Sequence, residues 1–83
     1  MSEEFSLIEV RTGEFVAIVP PFRALPIEDT TIVLSKFLLG DKQGSFEEAL
    51  ALFIDSLAPE KVNDFYLLEH SEMIALVADW ISS

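Results

Sequence analysis

The chain has 83 residues, with 15 acidic and 5 basic side chains and a formal charge of -10. That length supports one small domain, and an apolar content of 51% is too rich for a disordered segment. The charge excludes a basic nucleic-acid groove and docking on an anionic membrane face. The absence of cysteine removes disulfides, thiolate zinc sites and thiol nucleophiles.

In chain order, the first element is a β-hairpin over residues 5–19. Phe5–Val10 and Phe15–Val19 are rich in β-branched and aromatic residues, and Gly13 between them accepts a positive φ cheaply. Ile8 and Val10 share one face, Phe5 and Leu7 the other. An isolated hairpin is marginal in water, so this one must lean on another element. Pro20, Pro21 and Pro26 make residues 20–28 an irregular connector, with Phe22, Leu25 and Ile27 capping the core.

Four short helices follow. The first spans about Thr30–Leu39, capped by Asp29 or Thr30 and stopped by Gly40. After a polar loop, Asp41–Gly44, Ser45 and Glu48 form a capping box that opens the second. Its apolar stripe is Phe46, Leu50, Phe53, Ile54 and Leu57. Pro59 starts a third helix, about 59–69, with Val62, Phe65 and either Tyr66 or Leu68 inward. Ser71 caps the fourth, 72–81, whose inner stripe is Met73, Leu76, Val77 and Trp80. The fold expected is α+β, mainly α: one domain in which a short amino-terminal hairpin precedes a helical unit, 29–83. Leu39, Leu52, Leu67, Ile74 and Ile81 are left over. They are the candidate partner-binding residues, because a core this small has no room for them all.

The sequence offers little for chemistry. His70, the one histidine, has no evident nucleophile beside it and reads as a loop or capping residue near the end of the third helix. The acidic pairs Glu28–Asp29 and Glu47–Glu48 suit first-turn helix positions, and no calcium-loop spacing occurs, so no metal, cofactor or catalytic residue is expected. Phosphate-cradle and nucleophile-elbow motifs are lacking too. No apolar run approaches the roughly 20 residues of a membrane span, and the acidic start Met1–Glu4 is unlike a secretory signal, which makes the cytoplasm the expected location.

Two family patterns are present. Asp55-Ser56-Leu57 matches the tripeptide of acyl carrier proteins, whose serine carries phosphopantetheine. Ser56, however, stands at the end of a helix rather than the start of a long one. The second pattern is broader. It joins Val19-Pro20-Pro21, the stretch Phe46–Phe53, the run Phe65-Tyr66-Leu67-Leu68 and the segment Ile74–Ile81, with Val77, Trp80 and Ile81 in an "(L/I)xxxVxxW(I/M)"-like order. Over residues 14–81 this resembles the tail assembly chaperones of long-tailed, siphovirus-type bacteriophages, especially those of actinobacterial hosts. The resemblance implies a non-enzymatic protein in the cytoplasm of the infected bacterium. It would keep the phage tape measure protein soluble until tail tube protein assembles around it. The apolar surplus would supply the contacts, and the negative charge would keep coated complexes apart. Self-association into a homo-oligomer through the same residues is a further expectation. The competing class is a small acidic interaction or regulatory domain, antitoxin-like, that binds one folded partner.

Overall fold

The computed structural model describes residues 7–82. Two strands, β1 (Ile8–Thr12) and β2 (Phe15–Val19), form an antiparallel hairpin. Four helices follow: α1 (Ile27–Leu38), α2 (Lys42–Ser56), α3 (Pro59–Tyr66) and α4 (His70–Ser82). The fold is therefore α+β and mainly helical. Phe5 and Ser6 of the expected first strand lie outside the described residues. The strand runs instead through Arg11 and Thr12, because the turn needs only Gly13 and Glu14. Gly13 has a φ of 57°, the positive value a two-residue hairpin demands at its first central position.

The register places Ile8, Val10 and Thr12 opposite Val19, Ala17 and Phe15, and this face turns toward the helices. Val10, Phe15, Ala17 and Val19 are buried. Glu9 and Arg11 pair on the outer face, beside exposed Ile18. One turn of 3-10 helix, Phe22–Ala24, interrupts the connector.

Aromatic side chains hold the core. Phe15, Phe65, Phe53, Trp80 and Phe22 make a continuous chain of ring contacts, with centroids 5.1–6.0 Å apart. It ties the hairpin, α3, α2, α4 and the connector together. Edge-on geometry at Phe53–Trp80 and Phe22–Trp80 suits the quadrupoles of the rings. The Trp80 indole Nε1 donates to the Pro20 carbonyl at 2.7 Å. Pro21 holds that carbonyl in extended geometry, away from any helix. The double proline and the tryptophan, 60 residues apart, are thus two halves of one latch.

The helix ends depart from the expected boundaries, each for a local reason. Helix α1 begins at Ile27, three residues early, with the Pro26 carbonyl accepting from Asp29 and Thr30. Asp29 and Thr30 are not caps: they lie in the first turn, where Glu28 and Asp29 face the positive end of the dipole. The connector is correspondingly shorter, and Ile27 points outward instead of capping the core. Gly40, φ 89°, stops α1 as expected. Asp41 N–H reaches the Lys36 carbonyl and Gly40 N–H the Phe37 carbonyl, a Schellman pair.

The polar loop is largely the first turn of α2. Asp41 caps that helix, its carboxylate accepting from Gly44 N–H at 2.9 Å. Ser45 and Glu48 are therefore no capping box. Their three-residue spacing instead puts both on one helix face, against α1. The Ser45 hydroxyl is buried and donates to the Val33 carbonyl at 2.8 Å, while Glu48 pairs with Lys36 at 3.0 Å. The hydrogen bond and charge of Glu48 raise the Lys36 pKa above its ordinary value.

Helix α3 starts at Pro59 as expected but stops at Tyr66, and Leu68 rather than Tyr66 turns toward the core. Ser71 is not a cap either. Glu69 is, its carbonyl accepting from Glu72 and Met73 while the Glu72 carboxylate returns to Glu69 N–H at 3.1 Å. His70 consequently opens α4 instead of ending α3, at the pole of a helix dipole opposite to the favourable one.

Candidate functional site

Helix α1 is the least covered element. Its main packing partner is α2, and only Val33 along its length is fully buried. With extents of 38 × 33 × 19 Å the molecule is a slab, and α1 lies along α2 without a second layer over it. The Ser45 hydroxyl, the Glu48–Lys36 pair and the shared Asp41 junction fix it there. Exposed apolar side chains are spread around the rest of the helix. Ile27 is 77% exposed, Leu38 82% and Leu39 85%, and Ile32, Leu34 and Phe37 are exposed as well.

At 100° per residue, Ile27, Leu34 and Leu38 fall within about 40° of one another, with Thr31 between them. This stripe carries no charge. At its amino-terminal end it forms one wall of an open groove of about 430 Å³. Phe22 and Leu25 of the connector and Ile81 of α4 make the other wall, and Arg23 borders it.

A second groove, about 610 Å³, lies between α2 and α4 and is lined by Phe46, Leu50, His70 and Ile74, with Lys42 and Glu47 at its edges. The His70 ring stands edge-on to Phe46, centroids 6.2 Å apart. No hydroxyl nucleophile or carboxylate is hydrogen-bonded to the imidazole among the described residues. Nor do the described residues include a group of three His, Asp or Glu placed to hold a metal ion. Among the described residues, no helix is long and apolar enough to cross a membrane.

The five sequence-selected residues do not form one patch. Leu39 and Leu67 are the residues that close α1 and α3, and both project into solvent. Ile74 lines the second groove and Ile81 the first. Leu52 and Ile81 are half-buried against the core. Ser56 ends α2, its hydroxyl donating to the Leu52 carbonyl at 3.0 Å, and is not presented at a helix start.

The stripe Ile27–Leu34–Leu38 is hard to see in the sequence because Asp29 and Thr30 resemble helix caps, which places Ile27 in the connector and not in α1. The detectable signal was that apolar residues occur on every side of this helix, while the fold has one neighbour to cover it. No family model matches the chain, and no curated protein or solved structure matches it.

Proposed function

We propose that this protein is a non-enzymatic tail assembly chaperone of a long-tailed bacteriophage. In this reading it works in the cytoplasm of the infected bacterium and holds the apolar helices of the tape measure protein in solution. The observation that carries the reading is the charge-free apolar face of α1, displayed on a molecule whose net charge is -10. An apolar helix laid along that face would be covered at the Ile27, Leu34 and Leu38 positions, in the manner of helix-in-groove recognition. The remaining acidic surface would hold neighbouring complexes apart. Val19-Pro20-Pro21 and the Val77–Trp80 segment are the scaffold that presents the face: the Trp80 indole and the Pro20 carbonyl make the latch, and Val19, Val77 and Trp80 pack in the core.

The experiment is co-expression with tape measure fragments, comparing the native chain with a Leu34→Glu/Leu38→Glu variant. Both positions are exposed, so the variant keeps its fold. The native chain is expected to move the fragments into the soluble fraction and the variant to leave them in the pellet. Fragments equally insoluble with and without the native chain would sink the reading.

A further inference from the structure

No further inference is drawn: the strongest candidate, the apolar groove between α1, the connector and the end of α4, has nothing in the structure to show what covers it, since Arg23 at its edge favours an acidic occupant and the net charge of -10 a basic one.

Discussion

The Trp80 indole does two jobs at once. Its rings touch Phe22 and Phe53, and its N–H satisfies the Pro20 carbonyl. Trp80→Phe keeps an aromatic ring but leaves the carbonyl without its donor and opens space beside Phe22. The expected loss is about 2–4 kcal/mol, combining a cavity with an unmade hydrogen bond. Urea unfolding followed by far-UV circular dichroism measures it. A loss near that of a simple methylene deletion, about 1 kcal/mol, would mean that the latch contributes nothing beyond packing. The Val77 and Trp80 of the family-like segment are fully buried. Core packing therefore accounts for both residues.

At the scale of elements, the α1–α2 junction concentrates the local chemistry. Gly40 sits at φ 89° with nothing within 4 Å of the position a Cβ would take, so Gly40→Ala incurs only backbone strain, about 1–2 kcal/mol. Gly44 is the reverse case. Its backbone is ordinary, but an added Cβ would run into the Asp41 carboxylate that caps α2. Gly44→Ala therefore trades a helix-propensity gain of about 1 kcal/mol against a cap worth a similar amount, and should change stability little. Thermal melts of the two variants separate the mechanisms. A Gly40→Ala protein as stable as the native chain would contradict the left-handed stop.

The same junction explains what was legible in the sequence and what was not. The hairpin, the four helices, the Pro59 start and the inner stripes of α2 and α4 follow from periodicity and were readable. The other helix starts were not, because several residues had equal claims to the cap. Ser45 reads as a cap as well as Asp41 does, and only the position of α1 assigns its hydroxyl to Val33. Glu69, a poor cap by preference, wins because the Glu72 carboxylate reaches back to its N–H. The surplus of apolar residues was legible too, but its location was not. Which helix lacks a covering layer is a property of the tertiary arrangement, and α1 is that helix.

For the whole molecule, the balance between net charge and the α1 face sets colloidal behaviour. At neutral pH, mutual repulsion from a charge of -10 opposes contact between exposed apolar faces. Lowering the pH protonates carboxylates and removes that repulsion near the isoelectric point of about 4.2. Without it, contact between the exposed apolar side chains of α1 is no longer opposed, so a sharp solubility minimum is expected there. A Leu34→Gln/Leu38→Gln variant isolates the cause, because it leaves the isoelectric point unchanged while removing the apolar stripe. Turbidity measured across the pH range should show the native chain precipitating near pH 4.2 and the variant staying clear at severalfold higher concentration. Circular dichroism at the same pH distinguishes association of folded molecules from acid unfolding, which would expose the aromatic core and precipitate both proteins alike. Equal turbidity with native spectra would show that loss of charge alone drives precipitation and that the α1 face takes no part in it.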